Sequence, residues 1–279
     1  MEQEITELGI IAGNRTLPLV FARLARLGGV RRLVAAAFEN ETSPELAQLV
    51  DEIVWMRVGQ LGKLIDTFKS RGITKCVMVG QIAPKNLFDL RPDLRAMALL
   101  MRLKEKNAHT IFGAIADELK KEGIELIEAT PWLKPIMPSD GFLVGKGLSK
   151  EQREDVRFGF KIAKAVSKLD IGQSVVVKDG VVLAVEAFEG TDACLIRGGT
   201  LSGEKGGAIA VKVAKENHDM RFDIPCIGKT TIQICLEHKY AALAIESGRA
   251  LILDYDEVMQ MVRNNKFTLL TISEHSQNI

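Results

Sequence analysis

Two stretches in the C-terminal half concentrate side chains able to act on a phosphate. The first, Glu186 to Asp192 (EAFEGTD), runs from an apolar strand into a turn carrying acids and a threonine. An acid-rich turn at a strand end is a usual place for a hard cation, which prefers oxygen ligands. The second is NHDMRFDIPCIGKTT, in which Pro225 biases Ile224 toward extended backbone. In an extended segment alternate side chains share a face, so Asp219, Arg221 and Asp223 are expected to project together. Two carboxylates and a guanidinium suit a phosphate site, because carboxylates hold Mg²⁺ and arginine grips phosphate with paired N–H groups. A solvated strand face carrying an ion pair is the plain alternative.

Other chemistries find little support. DIPCIGKTT contains Gly-Lys-Thr before a helix, but GxxxxGK[ST] needs glycine where Asp223 stands, and a carboxylate there would repel the phosphate. Thr230 or Thr231 is read instead as the helix N-cap. The histidines His109, His218, His238 and His275 share no metal-ligand spacing, and HExxH and GxSxG are absent. His218 beside Asp219 could act as a base, although a lone exposed histidine is the simpler description.

Two glycine turns in the N-terminal half are further candidates. The first apolar run ends in AGNRTLP, and Pro18 suits the first turn of the helix that follows. Gly13 and Asn14 would then sit between a strand end and a helix N-terminus, where the dipole and unpaired amides favour anions. The spacing is not GxGxxG, and a plain tight turn competes with a ligand role. A later run ends VMVGQIAPKN, placing Gly80 and Gln81 at the same carboxyl edge of a sheet.

The elements that must position these residues are legible as patterns. From Leu8 to Ala129, apolar runs (LGIIA, LVAAAF, EIVWMRV, KCVMVG, IELIEA) alternate with helix-period segments, which predicts a parallel sheet covered on both faces. PWLKPIMPSDG holds three of the eight prolines and reads as an interdomain connection. Beyond it come a helix from about Ser149 to Leu169 and QSVVVKDGVVLAVEAF, a hairpin around Lys-Asp-Gly and hence a mixed sheet. After a glycine-rich loop follow the run AIAVKVA, an extended RFDIP, a helix from about Thr230 to Glu246, a strand ALILD and a last helix. The fold is therefore expected to be α/β: an N-terminal Rossmann-like parallel-sheet domain over 1–130, a linker over 131–148, and a C-terminal α/β domain with a mixed sheet over 149–279.

A net charge of +1 with ordinary composition speaks against a nucleic-acid partner. Cys76, Cys194, Cys226 and Cys235 form no CxxC pair and three lie in apolar runs, which points to a reducing, cytoplasmic compartment. The acidic N-terminus is unlike a signal peptide, and no apolar run reaches the roughly 18–20 residues of a bilayer span. Between Leu87 and Leu103, leucine and methionine mix with Arg91, Arg95 and Arg102, followed by Lys104 and Lys106. Such a helix could rest on an anionic inner-membrane surface, or pack in a core or dimer.

Taken together, GIIAGNRTLP, LDIGQSVVV, VLAVEAFEGTD and RFDIPCIG resemble, in order and over essentially the whole chain, the LpxI-type UDP-2,3-diacylglucosamine pyrophosphatases of lipid A biosynthesis. The resemblance implies an enzyme that uses Mg²⁺ to direct water onto the α-phosphorus of UDP-diacylglucosamine, releasing UMP and 2,3-diacylglucosamine 1-phosphate (lipid X). It implies two α/β domains and a homodimer. The family's essential aspartate matches Asp223, its Thr-Asp pair matches Thr191 and Asp192, its Asp-x-Gly-Gln matches Asp170, Gly172 and Gln173, and its first glycine turn matches Gly13 and Asn14. Asp223 and Asp192 would organise the metal and the attacking water, with Arg221 or Arg197 steadying phosphate. The sequence departs from the family at Asn14, where another glycine is usual, and at His218, where glutamine is common. Two other readings are carried: a nicotinamide-dependent oxidoreductase and a non-catalytic nucleotide-sugar or lipid-binding module.

Overall fold

The computed structural model describes residues 5–82, 92–104, 108–215, 219–222 and 224–276, with the side chains of 108 and 109 left out. The chain forms two compact units, Met1–Leu133 with Asp219–Asp223, and Lys134–His218 with Ile224–Ile279.

The first unit is a five-stranded parallel sheet in the order β3-β2-β1-β4-β5: β1 Glu7–Ala12, β2 Arg32–Phe38, β3 Glu52–Met56, β4 Lys75–Val79 and β5 Glu125–Leu126. Its strands read as continuous apolar runs because both faces are covered; from Leu33 to Ala37 every residue of β2 is fully buried. Helix α1 (Leu17–Leu27) buries Leu17, Phe21 and Ala25 along one face, and α2 (Leu61–Lys69) buries Leu61, Leu64, Ile65 and Phe68. A Cβ on Gly9 would lie 2.8 Å from the Phe68 ring, so α2 lies directly over β1. Helix α3 (Leu94–Arg102) starts at Asp93, whose carboxylate accepts from the amides of Ala96 and Gly62. Helix α4 (Ala108–Lys121) and the short α5 (Thr130–Leu133) complete the unit. Strand order reverses between β1 and β4, the place where open sheets of this type leave a crevice at their carboxyl ends.

The second unit is built on a six-stranded sheet, β6-β13-β11-β9-β7-β8. Its strands are β6 Leu143–Gly145, β7 Ser174–Lys178, β8 Val181–Val185, β9 Ile209–Lys212, β11 Ala242–Glu246 and β13 Thr268–Ile272. β9, β11 and β13 are mutually parallel, whereas β6 and β7 run against their neighbours, which makes the sheet mixed. Helix α6 (Lys150–Lys168) begins with a capping box between Ser149 and Gln152 and covers one face, packing against Val175, Val177 and Val211. The opposite face, carrying Val176, Ala184 and Ala210, lies under α7 (Thr191–Leu201), α8 (Lys229–Glu237) and α9 (Tyr255–Arg263). A two-stranded parallel ladder pairs β10 (Cys226–Ile227) with β12 (Leu251–Ile252). The β7–β8 turn places Asp179 and Gly180 at φ 50° and 75°, as a two-residue primed hairpin requires. Both turn amides donate to the buried Asp155 carboxylate of α6 at 2.8 Å, which locks the hairpin to the helix.

Within residues 131–148, Lys134–Ile136 make a 3-10 turn and β6 joins the sheet edge antiparallel to β13. Three local expectations are corrected. Ala242–Glu246 is the fully buried strand β11, not the end of a helix that stops at Glu237, because a strand covered on both faces has no alternation to set it apart from a helical run. The cap of α8 is Gly228 rather than Thr230 or Thr231. Asp219 to Phe222 form a turn, with the Phe222 amide donating to the Asp219 carbonyl, so the alternation argued for an extended segment does not apply there.

Candidate functional site

In the second unit, β8, β7 and β9 bring three polar side chains onto the face covered by α7. Ser174 pairs with Lys212 across the β7–β9 ladder, and the Glu186 amide donates to the Ser174 carbonyl at 2.8 Å, just past the end of β8. Opposed residues of antiparallel strands point to the same side, so Glu186, Ser174 and Lys212 form a row. The parity of this row is that of Ala184, Val176 and Ala210, the apolar face beneath α7.

Above the row, α7 begins at Gly190, held at φ 82° and offering no side chain to cap the helix. Thr191 follows, and its hydroxyl joins the row: Lys212 Nζ donates to Thr191 Oγ1 at 2.8 Å, and Thr191 Oγ1 donates to Glu186 Oε1 at 3.0 Å. Two atoms are left over. Among the described residues, Glu186 Oε2 and Ser174 Oγ are both buried without a hydrogen-bond partner, a costly condition in a protein interior. Asp192 occupies the first turn of α7, where a carboxylate is favoured by the dipole. Burial, followed by the Glu186 charge, pushes the Cys194 thiol one turn further along up to about 12, which keeps it protonated.

Gln173 leads into β7, and its carbonyl accepts from the Val213 amide. Gly172 abuts the Glu186 carbonyl so closely that a Cβ there would overlap it. The guanidinium of Arg197 faces elsewhere: it donates to the Val185 carbonyl at 2.9 Å and to Glu189 at 2.7 Å, which holds the Glu189 carboxyl below the usual range.

In the first unit, Gly13, Asn14, Gly80 and Gln81 meet at the switch point between β1 and β4. The Gly13 amide donates to the Val79 carbonyl and that of Asn14 to Gln81. A Cβ on Gly13 would stand 2.6 Å from the Gln81 carbonyl oxygen, and one on Gly80, at φ 90°, 2.7 Å from that of Asn14. The two turns therefore cross at backbone distance, and only glycine fits at either place. Asn14 Nδ2 donates to Glu41 at 2.7 Å, while Asn14 Oδ1 is buried with no partner among the described residues. Arg221 belongs to this unit too and makes a forked pair with Asp219, at 2.6 Å for the closest contact. Phe222 packs on Phe112 with ring centroids 5.7 Å apart.

Asp223 and His218 lie outside the described residues. Among the described residues, no three His, Cys, Asp or Glu side chains gather closely enough to hold a metal ion. Asp192 and Asp223 as a cation pair thus remain an expectation. Among the described residues, Glu186 Oε2 is the carboxylate oxygen of the second unit's row that is buried without a hydrogen-bond partner. Glu186 lies inside the EAFEGTD motif, whereas Ser174 and Lys212 stand in apolar strands whose pattern by itself marks no role for them. A signal was present: Lys212 interrupts AIAVKVA, whose first strand residues Ile209, Ala210 and Val211 are fully buried.

These features define a two-unit α/β protein in which a doubly wound parallel sheet is followed by a mixed sheet bearing an ionisable edge. The family model of the LpxI N-terminal domain matches residues 7–136 and that of the LpxI C-terminal domain matches 139–270, so the chain belongs to the LpxI family. It is 29% identical over 262 residues to a Caulobacter vibrioides protein named UDP-2,3-diacylglucosamine pyrophosphatase LpxI, covering 91% of this chain and 92% of that one. Among solved structures, the biotin carboxylase domain of Hydrogenobacter thermophilus 2-oxoglutarate carboxylase is 13% identical with a TM-score of 0.27, over 64% of this chain and 36% of that chain. An ADP complex of N5-carboxyaminoimidazole ribonucleotide synthetase is 15% identical with a TM-score of 0.27, over 69% and 45%. This chain spans less than half of either, and at that TM-score neither likeness bears on fold or function.

Proposed function

We propose that this protein hydrolyses the pyrophosphate bond of UDP-2,3-diacylglucosamine by attack of water on the α-phosphorus, giving UMP and 2,3-diacylglucosamine 1-phosphate. The observation that carries the reading is that both LpxI domains are present in order and that the named relative is matched along 92% of its length. The row under α7 supports it, because phosphoryl transfer asks chiefly for positioned charge.

Asp192 and Asp223 are the proposed holders of Mg²⁺, with Glu186 Oε2 as a third oxygen that the fold leaves open. The donor set is all carboxylate, which suits a hard divalent cation. When bound, the ion neutralises phosphate charge and makes a coordinated water easier to deprotonate. Thr191 orients Glu186 through its hydroxyl, and Gln173, Gly13, Asn14, Gly80 and Gln81 are proposed substrate contacts. Arg197 and Arg221, both ion-paired as they stand, would have to exchange their carboxylate partners to reach a phosphate.

The enzyme is proposed to work as a cytoplasmic homodimer that touches the inner membrane. Among the described residues no helix is long and apolar enough to cross a membrane. Leu94, Met97 and Met101 form an exposed stripe along α3 beside Arg102, which supports peripheral contact. The oxidoreductase reading is not favoured, since the turn after β1 lacks the dinucleotide fingerprint.

Incubation with UDP-diacylglucosamine in ¹⁸O water, with and without Mg²⁺, tests the proposal. Label in UMP, and only with the metal, is the expected result. Label in the sugar phosphate would move the attack to the other phosphorus, and binding without products would leave a binding module. In the same assay Asp223→Ala is expected to lose activity by about a thousandfold or more while still binding substrate.

A further inference from the structure

Lys212 ends a strand whose preceding residues are sealed from solvent, and among the described residues it is not paired with a carboxylate. Among the described residues, Thr191 Oγ1 is the only acceptor of its ammonium, so two of its three N–H donors are uncommitted. The Thr191 hydroxyl stands between it and Glu186, donating onward to Glu186 Oε1. The ammonium thus sits beside the start of an 11-residue helix that has no side-chain cap, where the macrodipole is positive. A cation at a helix N-terminus is unfavourable by itself; Asp192 in the same turn and Glu186 beyond the Thr191 hydroxyl offset part of this, and an anion bound between the ammonium and the helix would offset more.

Ser174 gives an independent indication. It is 1% exposed, directly opposite Lys212 in the ladder and on the same face, and its Oγ has no partner among the described residues. The next three residues of its strand are valines. A hydroxyl buried there costs free energy unless something fills its hydrogen bond. Lysine and serine together offer converging N–H and O–H donors, which is the chemistry of a phosphoryl oxygen site rather than of a sugar or a base. Glu186 at the end of the row would repel a bare phosphate, so the arrangement suits a phosphate that arrives with a divalent cation.

Resting on the hydrolase reading above, we propose that Lys212, with Ser174 beside it, grips a phosphoryl oxygen of the substrate's pyrophosphate at the N-terminus of α7. Lys212 then does what Arg197 and Arg221 are not free to do as they stand. Thr191 holds the empty ammonium in place until phosphate replaces the hydroxyl as its main acceptor.

The test titrates inorganic pyrophosphate with Mg²⁺ into the full chain by calorimetry, and measures kcat and KM with UDP-diacylglucosamine separately. Lys212→Met is expected to weaken pyrophosphate binding by about ten- to a hundredfold, the worth of a charge-assisted hydrogen bond. Lys212→Arg should recover much of that loss, and Ser174→Ala should weaken binding by less. All three should keep the wild-type thermal midpoint within a few degrees. Wild-type pyrophosphate affinity in Lys212→Met overturns the proposal, as does a loss that Lys212→Arg deepens rather than repairs. Because the titration needs no turnover, a wild-type protein that binds pyrophosphate through Lys212 yet leaves UDP-diacylglucosamine intact would sink the hydrolase reading and spare the phosphate site.

Discussion

The carboxyl edge of the first unit and the α7 edge of the second are both places where a ligand of an α/β protein would bind, and they are made of opposite materials. At the first, Gly13 and Gly80 cross at backbone distance and the Gly13 and Asn14 amides bond to Val79 and Gln81, so shape is conferred mainly by backbone, with Asn14 the side chain that stands beside the crossing. At the second, Glu186, Ser174, Thr191 and Lys212 come from three strands and a helix, and two of their polar atoms are unpartnered among the described residues. An edge built from backbone can orient a ligand, whereas proton and charge chemistry needs groups like those of the second. The second unit also contains a satisfied buried charge for contrast. Glu246 accepts from the Ala214 amide at 2.7 Å and from Lys164 at 3.0 Å, with Arg249 3.8 Å away.

That contrast can be broken in several ways. Glu246→Ala should destabilise the most, by about 3–5 kcal/mol, because it leaves the largely covered Lys164 ammonium without its carboxylate and the Ala214 amide without its acceptor. Chemical denaturation would show it, and a loss under 1 kcal/mol would mean that the pair is not the anchor described. Gly80→Ala should cost about 1–3 kcal/mol through its positive φ and the clash with Asn14. If instead it left stability alone and removed activity, the first edge would be a chemical site.

Glu186→Gln sharpens the comparison from the other side. It removes a half-buried carboxylate whose Oε2 is inaccessible and has no partner among the described residues, so stability should stay within about 0.5 kcal/mol or rise, as functional sites often show. The Mg²⁺ concentration needed for half-maximal activity should increase; an unchanged metal dependence would exclude Glu186 as a ligand.

The smallest effect concerns the surface of the first unit. Lys69, then Arg95, hold the Glu122 carboxyl down to about 2, against an ordinary value of 4.5. A depressed carboxyl contributes its stability above the ordinary value, and loses it as pH falls from about 4.5 toward 2. Glu122→Gln should therefore lower stability slightly at pH 7, with the difference from the unaltered protein fading as pH falls from about 4.5 toward 2. An equal difference at both ends of that range would mean that the ion pairs are not its source.

Much of the architecture was readable in advance because the signals are local. Continuous apolar runs announced the parallel strands, and Lys-Asp-Gly announced the β7–β8 hairpin through the positive φ its turn needs. Ser149 began α6 as a capping residue should. The misreading of Ala242–Glu246 has a physical cause: a central strand buried on both faces carries neither helical nor strand alternation. At Asp219–Phe222 the effect of Pro225 on its neighbour was extended too far back along the chain.

Of the site, the sequence alone determined the residue types at each strand end: the acids and threonine of EAFEGTD, the glycines of the crossing turns, and a lysine out of place in an apolar run. Only the tertiary structure decided which of them meet. Glu186 and Ser174 stand at the two ends of one hairpin, and Lys212 comes from a later strand and joins their face only through the pairing of β7 with β9, while Arg197 and Arg221 are drawn to Glu189 and Asp219. Periodicity tells a residue which face of its own strand it occupies, but the register between strands is set by the packing of the whole sheet.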